Sequence, residues 1–180
     1  MTIETLAMQG RDKIHTGLAG LDVQRLKQMR NTGLKECFNR LEDTRYRLEF
    51  VARIRGREYV NDAASRTINA TWYALEKTQG GLIWIADAND MTADYSRLVP
   101  PALRKVRMLL VVGDAEDRMN HTFKGIIPTI VRCSTMGEAL QRAYRYESED
   151  EVKVLYSPAC YNGHSTAEQG EMFRHEVNEL

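Results

Sequence analysis

The chain has 180 residues, with 25 Lys plus Arg against 25 Asp plus Glu, so its formal net charge is zero. That balance argues against nucleic acid or an anionic membrane as the main partner, since both favour a basic excess. The length suits one compact domain, able to bury a core without metal or disulfide staples.

Residues 1 to about 20 have weak periodicity and several glycines, and read as a helix or a partly ordered arm. The stretch "LDVQRLKQMRNTGLKECFNRLE" (21–42) predicts a helix, because Leu26, Arg30, Leu34, Cys37, Phe38 and Leu41 fall near one face. Residues 1–42 thus form a helical arm or linker, and a boundary is expected near residue 43. Next, "YRLEFVARIRGREYVND" alternates apolar and polar residues and turns back through Gly56, the signature of a β-hairpin. Ser65 to Lys77 predicts a helix with Ile68, Trp72 and Leu75 on one face, ended by Gly80-Gly81.

From residue 82 onward, strands and helices alternate. "LIWIAD" (82–87) is a buried strand, and "LVPPALRKV" is a helix whose first turn tolerates its prolines. "RMLLVVGD" is a strand, "AEDRMNHTFKG" a helix, and "IIPTIVRC" contains a short strand. "TMGEALQRAYRYE" is an amphipathic helix, "DEVKVLYSPA" a last strand, and "AEQGEMFRHEVNEL" the C-terminal helix. This pattern predicts a Rossmann-like α/β domain over residues 43–180. Its sheet is mostly parallel with helices on both faces, and the N-terminal hairpin adds an antiparallel strand.

The three cysteines, Cys37, Cys133 and Cys160, are far apart and form no Cys-x-x-Cys pair, which argues against a disulfide framework or structural zinc. The longest apolar run, "MLLVVG", is too short to span a bilayer, and the N-terminus lacks a signal-peptide pattern. The expectation is a soluble, cytoplasmic protein.

Ligands of open α/β sheets bind at the carboxyl ends of the strands. Three strand ends should meet there: Asn61-Asp62, Asp87 to Thr92, and Ser157 to Asn162. Asp62, placed before a helix, reads first as its N-cap. Asp87 and Asp90 raise the question of a cation site, with loop solvation the simpler reading. Ser157 carries no nucleophile motif, Cys160 reads as a buried thiol, and Trp72 and Trp84 read as core or interface residues. The chain has no phosphate loop, no Gly-x-Gly-x-x-Gly, no His-Glu-x-x-His and no Gly-x-Ser-x-Gly. Its four histidines are dispersed.

Taken in order and spacing, "YRLEFV", "YVNDAASRTINATWYALE", "ADYSRL", "STMGEAL" and "VLYSPAC…EQGEMFR" resemble the C-terminal domain of the Mur ligases, most of all the UDP-N-acetylmuramoyl-L-alanine:D-glutamate ligases. The resemblance spans roughly residues 34–180. It implies a Rossmann-like fold and a link to peptidoglycan precursor synthesis, in which ATP forms an acyl phosphate that the amine of D-glutamate attacks. It also implies nucleotide-binding roles for Arg47, Asn61 and Asp62, with Tyr46 where the family has histidine.

The acceptor half departs from the family. The family's Asn-Asp-Ser-Lys-Ala-Thr-Asn turn keeps Asn61 and Asp62, but Ala63 replaces the serine, Ala64 the lysine and Arg66 the threonine. That lysine and threonine help to hold D-glutamate. A methyl group cannot replace an ammonium facing a carboxylate, although Arg66 offers a longer anion grip. In the second loop Met91 replaces a lysine, the family's glycines are gone, and two aspartates have arrived. In the third loop Ser157-Pro158-Ala159-Cys160 persists, while Tyr161-Asn162 replaces Ala-Ser and the following segment is about three residues shorter.

These departures suggest a free-standing, non-catalytic homologue, acting as a binding or interaction module with a protein partner or as a homo-oligomer. The alternative is the C-terminal half of a split D-glutamate-type ligase, completed by a separate ATPase chain. In that case ATP or ADP with Mg²⁺ would be the cofactor.

Overall fold

The computed structural model describes residues 45–87, 90, 92–113, 116–148 and 150–180. The helical arm expected over 1–42, and Met91 of the second loop, lie outside the described residues.

The elements in chain order are β1 (Glu49–Ile54), β2 (Arg57–Asn61), α1 (Ile68–Lys77), β3 (Gly81–Asp87), a 3-10 turn (Tyr95–Leu98), α2 (Val99–Lys105), β4 (Val106–Val112), α3 (Glu116–Phe123), β5 (Thr129–Cys133), α4 (Met136–Arg145), β6 (Val152–Tyr156) and α5 (Thr166–Asn178). They build one six-stranded sheet in the order β1-β2-β6-β3-β4-β5. Only β1 is antiparallel, paired with β2 through the hairpin that turns at Arg55-Gly56, both at positive φ. The other neighbours are parallel. This mixed Rossmann-like sheet is the architecture expected from the alternating pattern.

The central strands read as unbroken apolar runs because both faces are covered. Along β3, Leu82, Trp84 and Ala86 join one core, with Leu75, Leu98, Ala102, Leu109, Met119 and Phe123. Ile83 and Ile85 join the other, with Leu110, Leu140, Val154, Phe173 and Val177. Trp84, expected in the core, is fully buried against the edge of Phe123, and its indole N–H donates to Ser157 O at 2.9 Å.

Two helix ends are held by cations from sequence-distant elements, Lys105 at the end of α2 and Arg57 on β2. Lys105 Nζ donates to Leu75 O at 2.8 Å and Thr78 O at 3.0 Å, covering the last carbonyls of α1. Arg57 does the same for α4, donating to Ala143 O and Tyr146 O at 2.7 Å each. At the other ends, Thr67, Thr135 and Ser165 cap α1, α4 and α5. The cap of α1 is therefore Thr67, whose Oγ1 accepts from Ala70 N–H at 3.2 Å. This corrects the expectation for Asp62: the helix begins at Ile68 rather than Ser65, and the aspartate lies beyond capping reach.

Among the described residues, no helix is long and apolar enough to cross a membrane.

Candidate functional site

β2, β6 and β3 are neighbours in the sheet, so their carboxyl ends bring Asn61-Asp62, Tyr156-Ser157 and Asp87 side by side. Backbone hydrogen bonds lock these ends together. Asp62 N–H donates to Tyr156 O at 2.8 Å, Ser157 N–H to Ile85 O at 3.0 Å, and Asp87 N–H to Pro158 O at 3.1 Å.

Asp62 is 1 % exposed. Its Oδ1 accepts from Leu48 N–H at 3.1 Å and its Oδ2 from Ser157 Oγ at 2.9 Å. Ser157 Oγ also lies 3.0 Å from Thr71 Oγ1, which donates to Ser65 O at 3.2 Å. Burial pushes the Asp62 carboxyl up to about 7, against the pull of hydrogen bonds from Ser65, Ser157 and Leu48 and the positive charge of Arg47. The segment carrying Arg47 runs along this turn, since Ala64 N–H donates to Tyr46 O at 3.0 Å. Arg47 and Asp62, two of the three residues that the resemblance assigns to nucleotide, are thus brought together.

Asn61 faces the other way. Its Nδ2 donates to Gly170 O at 3.1 Å and to Glu49 Oε2 at 3.3 Å, while its Oδ1 accepts from Ala63 N–H at 3.2 Å. It is fully buried and ties β2 to α5. Tyr46, at the family's histidine position, is also built into the fold. Its ring packs directly against Gly170, and it donates its hydroxyl to Glu171 Oε1 at 2.6 Å.

A second cluster gathers around Asp87, which is 3 % exposed. Its Oδ2 accepts from Tyr156 Oη at 2.9 Å and from Asn162 Nδ2 at 2.7 Å. Burial raises this carboxyl to about 6, against the hydrogen bonds and the charges of His164 and Arg66. The same phenol lies 2.8 Å from the side-chain amide of Gln169 on α5. One phenolic proton serves both neighbours only if Gln169 turns its NH2 to the phenol or Asp87 carries a proton.

Arg66 also belongs to this cluster. Its guanidinium lies 4.2 Å from the centre of the Tyr161 ring and donates to His164 O. The longer anion grip expected of Arg66 is therefore turned onto the third loop. Asp90 is engaged locally, accepting from Thr92 N–H at 2.8 Å and Thr92 Oγ1 at 2.7 Å. Among the described residues no group of three or more His, Cys, Asp or Glu is placed to hold a metal ion. Ala64 is half-buried and presents only a methyl group. Cys160 is buried, as expected, with its thiol donating to Asp87 O at 3.3 Å.

Tyr156, Gln169 and Glu171 were not legible as site residues. Tyr156 ends an apolar strand and Gln169 and Glu171 lie within a helix, so no local motif marks them.

No family model matches the chain. It is 31% identical over 183 residues to the UDP-N-acetylmuramoylalanine–D-glutamate ligase of Porphyromonas gingivalis, a match over 100% of this chain and 40% of the ligase. It is 32% identical over 185 residues to the enzyme of that name from Salinibacter ruber, again over 100% of the chain and 40% of the ligase. The chain thus spans about two fifths of the length of the curated relatives it matches.

In fold it is similar to folylpolyglutamate synthase from Thermotoga maritima, with TM-score 0.51 and 10% identity over 74% of this chain and 30% of that one. MurF from Acinetobacter baumannii gives TM-score 0.51 and 12% identity over 76% and 31%. At these identities the structural likeness bears on the fold alone.

Proposed function

From the homology of this chain to the C-terminal domain of the Mur ligases, we propose that it acts as a non-catalytic binding or interaction module. We link it to cytoplasmic peptidoglycan precursor synthesis, with a nucleotide or a protein partner as the bound species. The observation that carries this reading is the saturation of the acceptor half of the strand edge by its own side chains. Asn162 occupies the Asp87 carboxylate, and Arg66 is held by Tyr161 and His164. Ala64 and Met91, where the family has lysines, bring no ammonium to that edge. A dicarboxylate acceptor such as D-glutamate would meet the buried carboxyl of Asp87, while the nearby Arg66 guanidinium is already engaged by Tyr161 and His164.

A second reading, favoured by the juxtaposition of Arg47 and Asp62, is that the chain supplies the C-terminal part of an ATP-dependent ligase. ATP or ADP with Mg²⁺ would then bind across this half-site and a phosphate-binding part located elsewhere.

Calorimetric titration with ADP, with ATP and Mg²⁺, and with D-glutamate tests both. The non-catalytic reading expects no D-glutamate binding and no ATP turnover, and measurable turnover by the purified chain would end it. Nucleotide binding that is lost in Arg47→Ala or Asp62→Asn would support the half-site; binding indifferent to both would remove it.

A further inference from the structure

The loop after β6 makes two kinds of contact. Its base is held by backbone: Pro158 O accepts from Asp87 N–H at 3.1 Å, and Ala159 N–H donates to Ser65 O at 3.1 Å. Beyond Cys160, side chains hold it instead. Asn162 reaches the Asp87 carboxylate on one side, at 2.7 Å. On the other side, Arg66 of the turn after β2 stacks on Tyr161 and donates to His164 O. β6 lies between β2 and β3 in the sheet, so this short segment spans all three strand ends.

We propose that residues 161–164 form a strap, latched by Asn162 on Asp87 and by Arg66 on Tyr161 and His164, which closes the strand-edge crevice and lifts as a unit. Three features favour lifting at this point. Tyr161 is 63 % exposed, so little apolar burial holds the strap down. Gly163 sits at φ 89°, a region where glycine bends the chain at low cost. The polar bonds within the strap, from Tyr161 Oη to Gly163 O at 3.2 Å and from His164 N–H to Asn162 Oδ1 at 3.3 Å, can travel with it. The inference concerns the same edge as the function proposed above but rests only on this geometry. Thiol labelling and nucleotide titration can therefore fail independently.

Cys160 supplies the readout. It is 3 % exposed and sits at the root of the strap, its thiol on the carbonyl of the residue whose carboxylate holds the latch. Cys133, at the end of β5, is equally buried and remote from the strap, so it reports opening of the whole domain. The experiment is N-ethylmaleimide labelling at fixed pH, followed site by site by peptide mass spectrometry. Losing a charge-assisted hydrogen bond in Asn162→Ala should raise Cys160 labelling about tenfold or more, with Cys133 unchanged. The double variant Asn162→Ala, Arg66→Ala should raise it further. Unchanged Cys160 labelling in both variants would overturn the strap. So would a parallel rise at Cys133, because the loop would then open only with the domain.

Discussion

At the residue scale, the two buried aspartates make stability depend on pH in the direction opposite to an ion-paired carboxylate. Their folded values, about 7 for Asp62 and about 6 for Asp87, stand above the ordinary 3.8 of the unfolded chain. Each therefore contributes fully below its unfolded value, and that contribution is lost as pH rises through its folded value. For Asp87 the cost of ionisation is on the order of 3 kcal/mol. The melting temperature should fall as pH rises from about 4 to about 7, most steeply between about 4 and 6, where both carboxyls hold a proton only in the folded chain, and level off above the folded values. Asp62→Asn and Asp87→Asn should each flatten that slope, and an unchanged slope in both would show the carboxyls to be ionised at no cost.

Gly170 is a second residue-scale case. A Cβ there would lie 2.1 Å from Tyr46 Cδ1, and the obstacle is a ring held by its bond to Glu171. Gly170→Ala should expel Tyr46 and cost about 1–3 kcal/mol in urea unfolding. The same substitution in Tyr46→Ala should cost far less, since the ring it meets is gone.

At the element scale, α1 and α4 are each anchored at both ends by groups from outside them. α4 begins at the Thr135 cap, buries Met136, Ala139, Leu140 and Ala143, and ends under the Arg57 guanidinium. Arg57→Met keeps the stem and removes the donors. It should leave the carbonyls at the end of α4 poorly satisfied and cost about 1–3 kcal/mol. Faster hydrogen exchange in the last turn of α4, with α1 unaffected because Lys105 holds that helix separately, would locate the loss.

At the scale of the whole molecule, the sheet order places the three polar strand ends next to one another, and the chain fills the resulting crevice with its own side chains. In sequence the chain is similar to UDP-N-acetylmuramoylalanine–D-glutamate ligases over two fifths of their length, and in fold to MurF, while the substituted turn and loops carry the proposed change of role. The nucleotide titration and the thiol labelling address those two halves of the edge separately.

Over the described residues, the succession of elements, the hairpin at Gly56 and the strand ends that meet were readable in the amino-acid order. Periodicity and turn residues are local, and each strand or helix records its own burial pattern. The resemblance to the Mur ligases was readable too, because it rests on order and spacing. The partners of the polar side chains were not. Asn162 meets Asp87 across 75 residues, and Asn61 meets Gly170 O across 109. Residue type says that a buried amide or carboxylate must be satisfied, but only the folded arrangement selects the group that satisfies it. For that reason Asp62 turned out to hold Leu48 and Ser157 rather than a helix end, Arg66 closed on a neighbouring loop, and Tyr156 entered the site from an apolar strand.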